Sequence, residues 1–218
     1  MKILVVGAGA REHAICWRLA HDGAAVVVAP GNPLMNDVAD ARANVALADH
    51  EGLVALARKQ KVDIVVVGPE APLVAGLADR LTAAAIPCFG PSAAAARLEA
   101  SKSFAREVCA AAEVKMAAGL AFDHVEPALE YAELMGDAGG VVVKADGLAG
   151  GKGVAVCDGF YEAERAVRDA LQLDRFGASG RRVVIEERLD GVEASVIAIC
   201  DGRDAVLLPS ARARRRLL

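Results

Sequence analysis

Val141-Val142-Val143-Lys144-Ala145-Asp146-Gly147-Leu148-Ala149-Gly150-Gly151-Lys152-Gly153-Val154 is an apolar β-branched run that enters a loop carrying four glycines, with a lysine before it and another inside it. Glycines let the backbone turn tightly and let several N–H groups converge on an anion, and the lysines supply the positive charge that a polyphosphate tail requires. The stretch predicts a phosphate-handling loop between two strands; the plainer alternative is a flexible glycine hairpin. It is not a P-loop. Counting back from Gly151-Lys152 reaches Asp146 where that motif needs glycine, and Gly153 stands where Ser or Thr would hold magnesium. Another nucleotide-binding fold is required.

Upstream, residues 2–6, 25–29 and 62–67 are short β-branched runs that each lead into Gly or Pro, as buried parallel strands do. Leu73, Val74, Leu77, Ala78 and Leu81 have the three-and-four spacing of one amphipathic helix, and Leu53, Leu56 and Ala57 repeat it. This alternation predicts a doubly wound α/β unit over residues 1–100, with ligands beyond the carboxyl ends of its strands. A helix is expected near Ser101. Another is expected from Asp123, where Asp123-His124-Val125-Glu126 reads as a capping box and Leu129, Ala132 and Met135 mark the apolar face. Strands at 141–144, 153–157 and 182–187, with a helix carrying Phe160, Ala163, Val167 and Leu171, complete a smaller α+β unit over 101–188. A strand over 194–200, a turn at Asp201-Gly202 and a strand from Ala205 open a third unit, 189–218, that reads as unfinished.

With 218 residues, of which 55% are hydrophobic, the chain can fill a core; only 4% are aromatic, so small side chains dominate the packing. A formal net charge of −4 argues against nonspecific nucleic-acid binding. The sequence shows neither a membrane-spanning run nor a signal peptide, and a cytoplasmic location is expected. Cys16, Cys88, Cys109, Cys157 and Cys200 are scattered, which predicts buried free thiols rather than a zinc site or a disulfide framework.

Gly7-Ala8-Gly9-Ala10-Arg11-Glu12-His13 resembles a dinucleotide fingerprint but places Glu12 where the third glycine belongs. Ala29-Pro30-Gly31-Asn32 lacks the acidic residue that would hold a ribose, so a nicotinamide or flavin reading is disfavoured. What remains is a helix N-terminus whose N–H groups can bind a phosphate or carboxylate, with Arg11 as a clamp. Gly68-Pro69-Glu70 lies at the same edge of the predicted sheet, where Glu70 can accept from a sugar hydroxyl or an amine. No G-x-S-x-G elbow is present, and no catalytic residue is assigned.

Taken in order, the Gly7–His13 turn, Ala29-Pro30-Gly31-Asn32, Val67–Val74, Phe89-Gly90-Pro91, Ser101-Lys102, Val143–Ala149 and Glu186-Glu187-x-Leu189 resemble the phosphoribosylamine–glycine ligase family of ATP-grasp enzymes. The resemblance implies a Rossmann-like pre-ATP-grasp domain, an ATP-grasp lid and an incomplete second ATP-grasp subdomain. It also implies ATP-dependent joining of glycine to 5-phosphoribosylamine, with magnesium, in purine synthesis. Lys102 and Lys144 then match lysines that contact ATP phosphates, and Asp146, Gly147, Gly150, Gly151, Lys152 and Gly153 fall in the mobile loop. Glu186, Glu187 and Leu189 match the adenine hinge, and Glu193 the carboxylate on the ribose. Gly9, Arg11, Glu12, Gly68, Pro69 and Glu70 match the phosphoribosylamine side.

Where the family continues Gln-Asp-His-Lys-Arg, this sequence has Arg212-Ala213-Arg214-Arg215-Arg216, and the magnesium ligands are expected beyond residue 218. The reading is a truncated, inactive fragment that self-associates through unpaired strand edges. Two other readings are a non-catalytic nucleotide-binding module and a different ATP-grasp carboxylate–amine ligase.

Overall fold

The computed structural model describes residues 1–136 and 139–212; the arginines at 214–216 singled out above lie outside that range. The first unit runs β1 (Lys2–Gly7), α1 (Ala10–His21), β2 (Ala25–Pro30), β3 (Ala41–Arg42), α2 (His50–Gln60), β4 (Ile64–Val67), α3 (Glu70–Val74), α4 (Leu77–Ala83), β5 (Cys88–Phe89) and α5 (Ala93–Ala100). Its sheet is wholly parallel, in the order β3-β2-β1-β4-β5. Strand alternation sorts the apolar residues between two layers. Leu4, Val6, Val27, Val65 and Val67 pack with Leu53 of α2 and with Leu77 and Leu81 of α4. Ile3, Val5, Val26 and Val28 pack with Cys16 of α1 and Met35. Burial on both faces explains the unbroken Val and Ile runs. The strand order reverses at β1, so the loops after β1 and β4 border one crevice.

The single helix expected over 73–81 is two helices. Gly76 sits between them at φ +87°, in the left-handed region that a continued helix cannot use. Leu73, Leu77, Ala78 and Leu81 are all buried nonetheless, because both pieces turn their apolar residues to the same core. The spacing reported burial correctly and continuity wrongly.

The second unit runs α6 (Lys102–Ala111), β6 (Gly119–Phe122), α7 (Val125–Gly136), β7 (Val141–Ala145), β8 (Val154–Cys157), α8 (Phe160–Leu171) and β9 (Val183–Glu187). Its antiparallel sheet has the order β6-β9-β7-β8. One face packs on α7 and α8 through Val141, Val143, Val183 and Ile185 against Ala128, Ala132, Ala163 and Val167. The capping box at Asp123 is not formed. The helix begins at Val125, and the Asp123 carboxylate takes two hydrogen bonds from Arg182, from Nε and Nη2 at 2.7 Å each. A guanidinium fork outcompetes a lone backbone N–H for a carboxylate.

The strand expected over 194–200 divides into β10 (Ala194–Ser195) and β11 (Ala198–Cys200). β11 pairs with β12 (Ala205–Leu207), and β10 with β13 (Ala211–Arg212). These pairs are thinly covered: Val196, Ile199, Val206 and Leu207 are exposed. Of the cysteines expected to be buried, Cys16 and Cys157 are, Cys88 and Cys109 are half-buried, and Cys200 is exposed on β11. Burial pushes the Cys16 and Cys88 thiols up to about 11. No helix among the described residues is long and apolar enough to cross a membrane.

Candidate functional site

Alternation along β7 and β9 sends Val143 and Ile185 into the helix-covered core and turns Lys144 and Glu186 to the opposite face. Their register, Val142 opposite Glu186 and Lys144 opposite Val184, makes the two side chains diagonal neighbours. The Lys144 ammonium donates to Glu186 Oε2. Arg106 Nη1 donates to Glu186 Oε1 at 2.9 Å, while its Nη2 donates to the Gly119 carbonyl at 2.9 Å. The Glu186 side chain is only 7% exposed, against 28% for Lys144 and 18% for Arg106. Two cations therefore hold one buried carboxylate, as a buried charge requires.

The base of the glycine loop is tied to the N-terminus of α6. Asp146 Oδ1 accepts from the Ser103 N–H at 2.6 Å, and Oδ2 from Ser101 Oγ at 2.8 Å. Ser101 Oγ also accepts from the Phe104 N–H at 3.1 Å, capping the helix. Asp146 thus occupies the place where a helix N-terminus would otherwise hold a ligand anion. Lys102 Nζ donates to the carbonyls of Ala145, Asp146 and Gly147 at 2.8, 3.3 and 3.1 Å. Burial pulls its ammonium below the usual lysine value. On the loop's other side, Gly147 N–H donates to the Ser179 carbonyl and Ser179 Oγ to the Leu148 carbonyl. Gly150 and Gly151, at the tip, face open space.

In the first unit, Glu12 is buried and closes the N-terminus of α1 with its own side chain. Its Oε2 accepts from the Gly9 N–H at 2.7 Å, so the expected anion slot at this turn is filled from within. Glu12 Oε1 is buried with no hydrogen-bond partner. A Cβ on Gly68 would lie 2.3 Å from that oxygen, so the loop after β4 reaches Glu12 only because residue 68 is glycine. Arg11 is paired with Glu70 at 2.9 Å across the two loops. Hydrogen bonding to its own backbone N–H, then to Arg11, holds the Glu70 carboxyl below the usual glutamate range.

These loops converge on one cleft of about 690 Å³. Arg11, Pro69 and Glu70 line one end, and Lys102, Lys144, Glu186, Gly147, Gly150, Gly151 and Gly153 the other. Of the remaining residues singled out in the sequence, Gly9, Glu12, Gly68 and Asp146 shape the loops from behind. Lys152 borders a separate cavity of about 270 Å³ against α8. Glu187 Oε1 accepts from the Ala118 N–H at 2.6 Å beside β6, and Leu189 and Glu193 lie on an exposed segment; none of the three lines the cleft. Arg106 was missed by sequence reasoning. Its signal was its place four residues after Lys102 on a helix, which puts both on one face. Among the described residues no three His, Cys, Asp or Glu side chains are grouped to hold a metal ion.

A doubly wound parallel unit followed by an antiparallel sheet, with a lysine and a glycine loop over a shared cleft, defines an ATP-grasp protein. Residues 1–99 match the family model for the phosphoribosylglycinamide synthetase N domain, and residues 100–218 the model for its ATP-grasp (A) domain. The chain belongs to the phosphoribosylglycinamide synthetase family. It is 48% identical to the phosphoribosylamine–glycine ligase of Allochromatium vinosum, over 97% of this chain and 50% of that protein. With the Agrobacterium fabrum ligase the identity is 44%, over 100% of this chain and 51% of that protein. The crystal structure of the Thermotoga maritima ligase superposes with a TM-score of 0.82 at 27% identity, covering 100% of this chain and 51% of that one. The chain spans about half the length of the curated relatives it matches.

Proposed function

We propose that this chain carries the nucleotide and amine sites of a phosphoribosylamine–glycine ligase, which joins glycine to 5-phosphoribosylamine at the expense of ATP in purine synthesis. The observation behind the reading is the shared cleft, in which the Arg11–Glu70 loops face Lys144 and the glycine loop. A carboxylate is a poor electrophile. Attack by a glycine carboxylate oxygen on the γ-phosphorus releases ADP and gives glycyl phosphate. The amine nitrogen of phosphoribosylamine then attacks the acyl carbon, phosphate leaves, and the nitrogen gives up a proton, yielding glycinamide ribonucleotide. Lys144 and the loop N–H groups supply the positive field on the transferring phosphoryl group.

In this reading Lys102 steadies the carbonyls at the loop's base from the cleft side, and Gly147, Gly150, Gly151, Lys152 and Gly153 close over the phosphates. The family resemblance gives adenine and ribose to Glu186, Glu187, Leu189 and Glu193, of which Glu186 lines the cleft; Arg11, Pro69 and Glu70 face the phosphoribosylamine side, and Gly9, Glu12 and Gly68 brace their turns from behind. Residues 1–100, 101–188 and 189–218 serve as the amine-binding domain, the lid with its linker helix, and the start of the second ATP-grasp subdomain. Magnesium accompanies ATP in this chemistry, and among the described residues no three His, Cys, Asp or Glu side chains are grouped to hold it. A cytoplasmic location accompanies the assignment.

Calorimetric titration of the chain with ADP, alongside a product assay with ATP, glycine and phosphoribosylamine, tests the reading. Lys144→Ala is expected to weaken nucleotide binding by roughly 1.5 to 3 kcal/mol, the range for a charge-assisted hydrogen bond. Equal affinity in variant and parent, or ATP cleavage indifferent to phosphoribosylamine, would refute it.

A further inference from the structure

We infer that Arg106 is a positioning residue for nucleotide binding, acting through Glu186 to keep the charge of Lys144 available to a phosphate in the cleft. This rests on the ATP reading above. Arg106 does not line the cleft, whereas Lys144 and Glu186 both do. Its guanidinium holds Glu186 from behind, on the oxygen that Lys144 does not use.

The charge count carries the argument. Lys144 and Glu186 alone are a neutral pair, and a lysine that is the only counter-ion of a buried carboxylate cannot turn to an incoming anion without leaving that carboxylate unpaired. Adding Arg106 makes the cluster two cations on one anion, with a net charge of +1. The excess falls at the cleft, because Lys144 is the most exposed of the three side chains, at 28%. When a phosphate draws the ammonium away, Glu186 keeps a partner in Arg106. The second anchor of the guanidinium, on the Gly119 carbonyl, fixes its approach. Gly119 has room only for hydrogen at Cα, since a Cβ there would meet the Ile185 carbonyl oxygen at 2.4 Å. α6 thus brings Arg106 to the back of Glu186 while its first turn holds the base of the glycine loop.

The test uses the whole chain and four variants, Arg106→Met, Arg106→Lys, Glu186→Gln and the Arg106→Met/Glu186→Gln double, titrated with ADP and with tripolyphosphate. Arg106→Met is expected to weaken both ligands about tenfold, because Lys144 is then the sole counter-ion of Glu186 and reaches a phosphate only by leaving that buried carboxylate unpaired. Arg106→Lys keeps the charge and should stay within about threefold of the parent. The double variant should bind within about threefold of Glu186→Gln alone, because Arg106 has no carboxylate left to neutralise. Circular dichroism and melting curves establish folding for each. Should Arg106→Met not fold, Arg106→Lys against the parent, and the double against Glu186→Gln, still decide the matter. Unchanged binding in Arg106→Met, equal losses in the Met and Lys variants, or an undiminished loss in the Glu186→Gln background would each overturn the inference while leaving the ATP reading standing. A parent chain that bound neither ligand would overturn both.

Discussion

Replacing Asp146 with alanine removes the side-chain link between the glycine loop and the cap of α6, leaving the bonds from Lys102 to the loop carbonyls. The carboxylate accepts from the Ser103 N–H at 2.6 Å and from Ser101 Oγ at 2.8 Å, and it sits at the positive end of the helix. A hydrogen bond to a charged group contributes about 1.5 to 3 kcal/mol when well made. Asp146 is half-buried and water can replace part of what is lost, so the sum should fall near 2 to 3 kcal/mol, above an ordinary cap deletion of about 1 kcal/mol. For a chain of this size that corresponds to a fall in melting temperature of about 5 to 10 °C. Asp146→Asn retains one acceptor and should cost about half as much.

Hydrogen exchange locates the effect. The Gly147 N–H, bonded to the Ser179 carbonyl, and the Ser103 N–H, bonded to Asp146, report opening at the loop base. A loss of about 2 kcal/mol should lower their protection roughly thirtyfold, since each 1.4 kcal/mol is a factor of ten. Amides of β1 and β4, in the other sheet, should be unaffected. Unchanged protection at Gly147 with a melting temperature within a degree of the parent would show that the carboxylate does not hold the loop.

Gly68→Ala should destabilise the first unit by about 1 to 3 kcal/mol, the usual overpacking cost, because the new methyl would lie 2.3 Å from Glu12 Oε1; an unaltered denaturant midpoint would mean Glu12 swings aside freely. The Asp123 carboxyl is held below the usual aspartate range, first by hydrogen bonds from Arg182. Its contribution is therefore complete above about pH 4 and fades as pH falls through the lowered value. The pair is exposed, so Asp123→Asn should cost only about 0.5 kcal/mol at pH 7 and less as the pH falls through the lowered value; an equal loss throughout would refute the assignment. A thiol reagent at neutral pH should modify exposed Cys200 first and leave Cys16 unreacted until unfolding; prompt labelling of Cys16 would contradict its burial. Amides of residues 194–212 should exchange faster than those of β1 and β4, and the chain should associate through this segment as concentration rises; a monomer with both regions equally protected would refute this.

The parallel unit was legible because its strands are buried on both faces and leave unbroken Val and Ile runs, with glycine or proline where each chain segment must turn. The antiparallel sheet was legible in the same way, from the short β-branched runs Val141 to Val143 and Val183 to Ile185, while Lys144 and Glu186 end those runs on the face that lines the cleft. Contacts between distant segments were not legible. Nothing near Asp123 signals Arg182, which arrives from 59 positions away, and nothing near Glu186 signals Arg106, 80 positions earlier. Helix continuity from Leu73 to Leu81 failed because Gly76 permits a left-handed break that costs the apolar spacing nothing.

The same distinction bears on how the two ends of the cleft act together. At the end lined by the first unit, Glu12 fills the α1 turn and supports Gly68, so Arg11 and Glu70 stand on turns braced by one buried side chain. At the end lined by the glycine loop, Ser101, Lys102, Ser103 and Arg106 all belong to α6 or its cap, and between them they hold Asp146, the loop carbonyls and Glu186. α6 follows directly on α5, which packs against α3, the helix that begins at Glu70. A shift of α6 relative to the first sheet would therefore move the glycine loop and the Lys144–Glu186 pair together, as one body, toward or away from Arg11. Under the reaction proposed above, such coupling would bring the acyl phosphate at one end to the amine at the other before water reaches it. Gly150 and Gly151 at the tip face open space, and the loop's bonds to the rest of the protein lie at Ala145 to Leu148 and at its return to β8, while the Lys152 N–H to Ala149 carbonyl bond is internal to the loop.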